Sequence, residues 1–397
     1  IQGPPGTGKT RTAGHLIVAL VAAGLRVGIT ALSHAAITEV VEQVLNSAGG
    51  DGDPIRVGQA TRRGTPAAEL SAREEELSRP TARLTLKSSS TWVADRRDHF
   101  DVIAGTAWLW SREDMVDAVD VLVVDEASQL SLANTMAAAP ATSRLILIGD
   151  PQQLTQPTKA RHPGDAESSA LDHLLDVTDD ELTVVSPDRG VFLDTSYRMH
   201  PSICRVVSDL AYDGQLEAAE QCANLDLADA GDLSGTGVRF VPVEHTANAS
   251  SSREEAVVVR DLIDRLIGST YINDQGEKTQ LEASDIAVIT PYNAQVAQLE
   301  RFVPAGIEPG TVDRYQGQTA AVVIVSLAAS SAEDAPRGLD FLLDRNRLNV
   351  ALSRARASVF VVGSSALMDA APSTIRTIEA ANDLCTIVEA AGAPLSR

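Results

Sequence analysis

Cysteine is scarce in this chain. Cys204, Cys222 and Cys385 are the only three in 397 residues. They are odd in number, far apart and without a Cys-x-x-Cys pair, which argues against a disulfide framework, a zinc site or an iron–sulfur cluster and suits a reducing cytoplasm. Long apolar runs are missing too. None approaches the ~20 residues of a membrane-spanning helix, so no membrane partner is expected. Lysine is nearly absent, with Lys9, Lys87, Lys159 and Lys278 its only occurrences. Arginine therefore supplies almost all positive charge, and a lysine inside a glycine-rich loop stands out. Positive charge as a whole is in deficit: 33 Lys and Arg stand against 54 Asp and Glu, for a net charge of −21. That balance argues against tight binding of a duplex. It leaves room for a single strand, because whole-chain charge governs solubility and long-range steering more than what a local groove can hold.

What is present is ordinary for a globular chain, 44% hydrophobic and 22% charged, with length enough for two domains. The pattern alternates strand and helix. A helix through Ile17–Ala22 follows a glycine loop, Arg26–Thr30 reads as a strand, and Ala35–Leu45 as a helix with Ile37, Val40, Val41, Val44 and Leu45 on one face. Asp101–Ala104, Val121–Val124 and Leu145–Ile148 are short apolar runs suited to burial on both faces, the signature of a parallel sheet under helices. Residues 46–100 break this rhythm and read as a small insertion, with a helix over Glu69–Leu86. A second α/β rhythm predicts strands at Gly237–Val243, Ile286–Thr290, Val322–Ser326 and Ser358–Val362. The polar, turn-rich stretch Asp179–Gly190 is the best boundary, dividing the chain into domains 1–187 and 188–397.

Gly3-Pro4-Pro5-Gly6-Thr7-Gly8-Lys9-Thr10 matches the phosphate-binding pattern of Gly, four residues, then Gly-Lys-Thr. Such glycines let backbone N–H groups turn towards phosphate oxygens, and the following helix presents its positive end. Lys9 would reach the β- and γ-phosphates and the Thr10 hydroxyl would hold Mg²⁺. Gly3, Gly6, Thr7, Gly8, Lys9, Thr10 and Arg11 are the expected nucleotide-binding residues. Val121–Val124 ends on Asp125 and Glu126, placed respectively to bind Mg²⁺ and to polarise an attacking water. Leu145–Ile148 runs into Gly149-Asp150-Pro151-Gln152-Gln153. At the carboxyl end of a strand, a side-chain amide there would sense the γ-phosphate or hold water. For Asp150 and Gln152 a capped turn is an equally open reading.

The second half carries arginines in unusual settings. Tyr197-Arg198-Met199-His200-Pro201 sets one arginine between an aromatic residue and a proline-bounded turn, with His200 read as a packed structural residue. Asn346–Arg356 reads as a helix presenting Arg347, Arg354 and Arg356 on neighbouring turns, of which Arg347 and Arg356 also fit a plain solvated face. The planar guanidinium fork suits phosphate oxygens and stays charged.

Taken in order, these segments resemble superfamily 1 helicases of the Upf-like branch, which includes the nonsense-mediated-decay and immunoglobulin-mu-binding helicases. The resemblance extends to Thr30–Val44, Gly105-Thr106, Thr290-Pro291-Tyr292-Asn293-Ala294-Gln295, Thr311–Gln318 and Asn349–Arg354. Asp125–Gln129 and Tyr197–Pro201 are specific to the branch. The resemblance implies a P-loop NTPase fold of two RecA-like domains, of the AAA-domain kind, with ATP in the cleft between them. Lys9, Thr10, Asp125, Glu126 and Gln153 would come from the first domain. Arg198 and Arg354 would act as arginine fingers, and Tyr197 would lie near the adenine. A single strand of DNA or RNA would be gripped by Ser33, Thr106, Pro291, Tyr292, Asn293 and Thr311, contacts suited to sequence-tolerant backbone binding.

Three positions depart from the family. His34 stands where asparagine is usual, Thr319 where a glutamate facing the nucleotide is usual, and Thr155 where proline is usual. Family members also carry a strand, an adenine-reading glutamine and a small barrel before the glycine loop. This chain begins at Ile1, so a fragment of a longer protein is expected. Ala160–Leu175 resembles bacterial helicases fused behind a RecB-like nuclease, which adds an N-terminal nuclease domain as an expected partner. The implied function is an ATP-dependent helicase or translocase of 5′-to-3′ polarity. An ATPase switch that remodels protein–nucleic-acid complexes without processive unwinding is the alternative. A non-enzymatic clamp with a site spoiled at Thr319 is opposed by the intact Lys9, Asp125, Glu126, Arg198 and Arg354.

Overall fold

The computed structural model describes residues 1–49, 53–154, 168–175, 183–371 and 374–392. Thr155, residues 160–167 of the nuclease-like stretch and residues 179–182 of the expected boundary lie outside them. The chain folds into two compact units. The first gathers Ile1–Gly3, Gly8–Pro151 and Thr155–Leu193, the second Pro4–Thr7, Gln152–Leu154 and Asp194–Arg397.

The first unit is built on a six-stranded sheet. Its strands are β1 (Val27–Thr30), β2 (Ile55–Ala60), β3 (Ala82–Lys87), β4 (Val102–Ala104), β5 (Val121–Val124) and β6 (Leu145–Leu147), in the order β3-β2-β4-β1-β5-β6. Every pairing is parallel. Parallel neighbours require crossovers, supplied here by helices α1 (Lys9–Ala22), α2 (His34–Ser47), α3 (Ala67–Leu77), α4 (Ser90–Asp95), α5 (Ala107–Trp110), α6 (Leu132–Ala138) and α7 (Ala170–Leu175). β1, β4 and β5 are buried throughout, as their unbroken apolar runs require. On α2 the stripe Ile37, Val40, Val41, Val44 and Leu45 is buried, and Ser33 Oγ accepts the Ala36 N–H at 3.1 Å to cap it.

Residues 46–100 correct the expectation of an insertion, because β2 and β3 extend the main sheet. The helix expected over Glu69–Leu86 ends at Leu77. β3 is a sheet edge that alternates buried with more exposed positions, so its leucines are too sparse to read as a buried run.

In the second unit β7 (Thr195–Ser196) pairs with β8 (Glu217–Ala218), and β9 (Asp226–Ala228), β11 (Thr270–Ile272) and β12 (Lys278–Gln280) form a small antiparallel sheet. The main sheet holds β10 (Gly237–Pro242), β13 (Ile286–Thr290), β14 (Gly310–Thr311), β15 (Ala320–Ser326) and β16 (Ala355–Gly363), ordered β10-β16-β15-β13-β14 and parallel throughout. Helices α8 (Pro201–Ala211), α9 (Arg253–Leu266), α10 (Asn293–Leu299), α11 (Leu339–Leu342), α12 (Arg345–Leu352) and α13 (Ile375–Ala391) complete the unit. Val259 and Ile263 of α9 share a core with Val288, Ile324 and Phe360. Both units thus have the expected α/β class.

A buried polar network ties the strand ends of this sheet together. Glu255, on α9, is 0% exposed. Its carboxylate accepts the Ser326 hydroxyl at 2.6 Å and the Ala328 N–H at 2.9 Å, and meets His245 Nε2 at 3.0 Å. Gln295 Nε2 donates to Ser326 Oγ at 2.8 Å, while Gln295 Oε1 accepts the Ser252 N–H at 2.7 Å. The turn carrying Tyr292 and Asn293 is thereby pinned to β15.

Candidate functional site

In the first unit, Gln2 bridges in parallel to Gly149 and Phe192, and the Gly3 N–H donates to the Gly149 carbonyl at 2.9 Å. These residues continue the sheet beside β6. Gly8 is the N-cap of α1 at φ 76°, ψ 34°, a left-handed conformation that disfavours side chains. Among the described residues no side chain caps this end, and no acid occupies the first turn, so the leading N–H groups of α1 are left without a side-chain acceptor there. Lys9 Nζ donates to the Gly3 carbonyl at 2.7 Å. Lys9 and Thr10 are half-buried and Arg11 is exposed.

β5 ends on the two expected carboxylates. Asp125 is 2% exposed, and among the described residues its Oδ1 has no hydrogen-bond partner. Burial first, then the Glu126 charge, push its pKa up to about 7, against the pull of Lys9. Glu126 adopts φ 49°, an uncommon backbone state for a non-glycine residue, and its Oε2 accepts Gln129 Nε2 at 3.1 Å. Glu39 joins this cluster from α2: burial, then Glu126 and Glu42, hold its pKa above the usual carboxylate range. Sequence reasoning missed Glu39, since nothing in α2 marks the face turned to β5.

The second unit contains the tip of the loop. Ser196 Oγ donates to the Pro5 carbonyl at 2.9 Å and the Tyr197 N–H to the Gly6 carbonyl at 2.9 Å. Gly6 sits at φ 78°, where an added Cβ would stand 2.6 Å from the Arg198 Cβ and 2.7 Å from Ser196 Oγ. Thr7 Oγ1 donates to the Pro4 carbonyl at 2.8 Å. Gln153 is buried, and the Gln152 carbonyl accepts Asn349 Nδ2 at 2.7 Å.

Arg198 Nη1 donates to the Ser353 carbonyl at 3.0 Å. Burial, followed by the charges of Arg354 and Arg356, lowers its pKa to about 9. Arg354 is 2% exposed, and its Nε donates to the Val350 carbonyl at 3.0 Å. It does not lie on a helix as expected: α12 stops at Leu352, leaving Arg354 in the following turn and Arg356 in β16. The turn draws Arg354 inward, whereas a continued helix would have kept it on a surface face. A pocket of about 200 Å³ is lined by Arg354, Gln318 and Thr319, so the departure at Thr319 adjoins an expected catalytic arginine. His200 is structural, its Nδ1 accepting the Ser202 N–H at 3.2 Å as the N-cap of α8.

The expected strand contacts divide between the units. In the first, Ser33 is exposed and Thr106 half-buried at the start of α5. In the second, Asn293 is exposed, Pro291 and Thr311 are half-buried, and Tyr292 is 7% exposed. Tyr197 is 55% exposed. No helix among the described residues is long and apolar enough to cross a membrane.

Two family models described as AAA domain match this chain, one over residues 168–366 and one over residues 1–158. The chain belongs to the AAA-domain family. This AAA-domain chain is 27% identical over 425 residues to the DNA polymerase alpha-associated DNA helicase A of Schizosaccharomyces pombe, covering 92% of this chain and 60% of that protein. It is 28% identical over 374 residues to the DNA replication ATP-dependent helicase/nuclease DNA2 of Gallus gallus, covering 91% and 34%. With the DNA-binding protein SMUBP-2 of Rattus norvegicus it shares 27% over 429 residues, covering 92% and 41%. The chain spans 34% to 60% of the length of these relatives.

Proposed function

We propose that this chain is the motor portion of an ATP-dependent helicase that translocates along single-stranded DNA or RNA in the 5′-to-3′ direction. The observation that carries the reading is Asp125, a buried carboxylate at the end of a parallel strand with one oxygen unpartnered. Such a group is costly unless a cation meets it. Among the described residues no cluster of three acids, histidines or cysteines could hold a metal by itself. Mg²⁺ takes one or two protein oxygens and completes its shell with phosphate and water. The Thr10 hydroxyl and the Asp125 carboxylate are the hard-oxygen pair that would hold it, and the bound ion would neutralise phosphate charge.

The remaining roles follow from chemistry. Gly3, Gly6, Thr7 and Gly8 leave backbone N–H groups and the α1 dipole to cradle phosphates, with Lys9 leaving the Gly3 carbonyl for the γ-phosphate. Arg11 and Tyr197 flank the nucleotide. Glu126 takes the proton of the attacking water, and Gln153 orients that water. Arg198 and Arg354 bring fixed positive charge to the transferred phosphoryl group. Ser33, Thr106, Pro291, Tyr292, Asn293 and Thr311 grip the strand. A nuclease domain elsewhere in a longer protein belongs to the same proposal, supported by the relative named as a helicase/nuclease.

The test is ATP turnover with and without single-stranded DNA or RNA, in the wild type and in Glu126→Gln. The expected result is strand-stimulated turnover that Glu126→Gln reduces roughly 10²–10⁴-fold. A rate indifferent to both nucleic acids would sink the motor reading. Unwinding of tailed duplexes separates a helicase from an ATPase switch.

A further inference from the structure

In this acidic chain many arginines are matched to a carboxylate: Arg56 to Asp101, Arg112 to Asp114, Arg260 to Asp264, Arg345 to Asp383. Arg337 and Arg347 are not. The guanidinium of Arg337 lies over the Phe341 ring, its central carbon 3.7 Å from the ring centre, and that of Arg347 lies over the same ring at 4.3 Å. Neither guanidinium makes an ion pair or hydrogen bond among the described residues. Asp344, three residues before Arg347, accepts that residue's backbone N–H at 2.9 Å as the cap of α12.

Stacking on an aromatic face fixes the plane of a guanidinium but consumes none of its in-plane N–H donors. Two oriented positive forks are therefore held on one ring, where they repel each other, and neither has a carboxylate at ion-pair distance among the described residues. The chain retains this arrangement despite a net charge of −21. Phosphate is the anion whose geometry the fork matches, through paired N–H···O bonds. The Phe341 ring also meets the Tyr292 ring, with centroids 5.7 Å apart, and both arginines are close enough for their charges to act on the Tyr292 phenol. Tyr292 and Asn293 are proposed strand contacts, so the two forks border the proposed path.

We infer that Arg337 and Arg347, mounted on Phe341, form a phosphate grip for the backbone of the single strand. The inference rests on the strand-binding part of the proposed function and adds to it two residues that the family motifs do not assign.

The experiment is the affinity of this chain for a labelled oligothymidylate, measured over a series of salt concentrations. The variants are Arg337→Gln, Arg347→Gln, their double, and the lysine substitution at each position. Each phosphate contact to a single strand contributes about 0.7 to the slope of log affinity against log salt. Each glutamine variant is therefore expected to flatten the slope by about 0.7 and to bind about fivefold more weakly at about 0.1 M salt, the double about 25-fold. The lysine variants keep the charge and are expected to keep the slope. Glutamine variants with the wild-type slope would overturn the grip while leaving the motor reading intact, as would lysine and glutamine variants weakened alike at constant slope. Absence of any strand binding by the wild type overturns both.

Discussion

Arg198 Nη1 donates to the Ser353 carbonyl at 3.0 Å, which holds it beside the next residue in the chain, Arg354. Two guanidiniums in one region repel, and burial with that repulsion brings the Arg198 pKa down to about 9. The charge is retained at neutral pH at an energetic cost, as expected for a group waiting for an anion. Arg198→Met keeps much of the volume and removes the charge. Its melting temperature is expected to match or exceed that of the wild type, while ATP turnover falls by roughly 10³-fold or more. A lower melting temperature with turnover retained would make Arg198 a structural residue.

Asp125 ties stability to pH with an unusual sign. Its folded pKa of about 7 lies above the unfolded value of 3.8, so its stabilising contribution is full below 3.8 and is lost as pH rises through about 7. Asp125→Asn is therefore expected to raise the melting temperature without nucleotide at pH 8, and to raise it much less at pH 5. Mg²⁺ with ATP should stabilise the wild type more than the variant. Thermal melts at the two pH values check this, and equal shifts at both would show that the carboxylate does not titrate between them.

Gly6→Ala meets two obstacles. The residue stands at φ 78°, and the new Cβ would lie 2.6 Å from the Arg198 Cβ. Left-handed strain and overpacking together are expected to cost about 2–4 kcal/mol and to abolish tight nucleotide binding. Chemical denaturation and titration of a fluorescent nucleotide measure the two effects. A variant with wild-type stability and affinity would refute the tight approach.

Glu255 is the hub of a buried network, and removing it leaves several donors and His245 without their acceptor. Glu255→Leu is expected to destabilise the chain by about 3–5 kcal/mol, and Glu255→Gln by less. Strand affinity should fall with it, because the network holds Gln295 and so the Tyr292–Asn293 turn. Denaturant unfolding of both variants, with oligonucleotide binding below the transition, tests the coupling. Unchanged affinity in a folded Glu255→Leu variant would uncouple the network from that turn.

Much of the fold was legible in local pattern. β5 and β13 fall on the residues their apolar runs predicted, because a strand buried on both faces leaves an uninterrupted signal. β3 was not legible: at a sheet edge only alternate residues are buried, and the sparse leucines there imitate an amphipathic helix. Arg354 was misplaced onto a helix for a related reason, since local helix pattern does not reveal where tertiary packing turns the chain inward.

The sequence by itself determined the order of the motifs, the glycine-rich loop before Lys9 and the carboxylate pair after β5, because these depend on residue type and on neighbours a few positions away. Only the tertiary structure decided that Asp125 is buried with an unpartnered oxygen, that Glu39 acts on the same cluster, that Arg198 and Arg354 are brought together through Ser353, and that Arg337 and Arg347 share the ring of Phe341. Those properties are sums over atoms far apart in the chain. Desolvation, repulsion and stacking exist only once folding has made them neighbours.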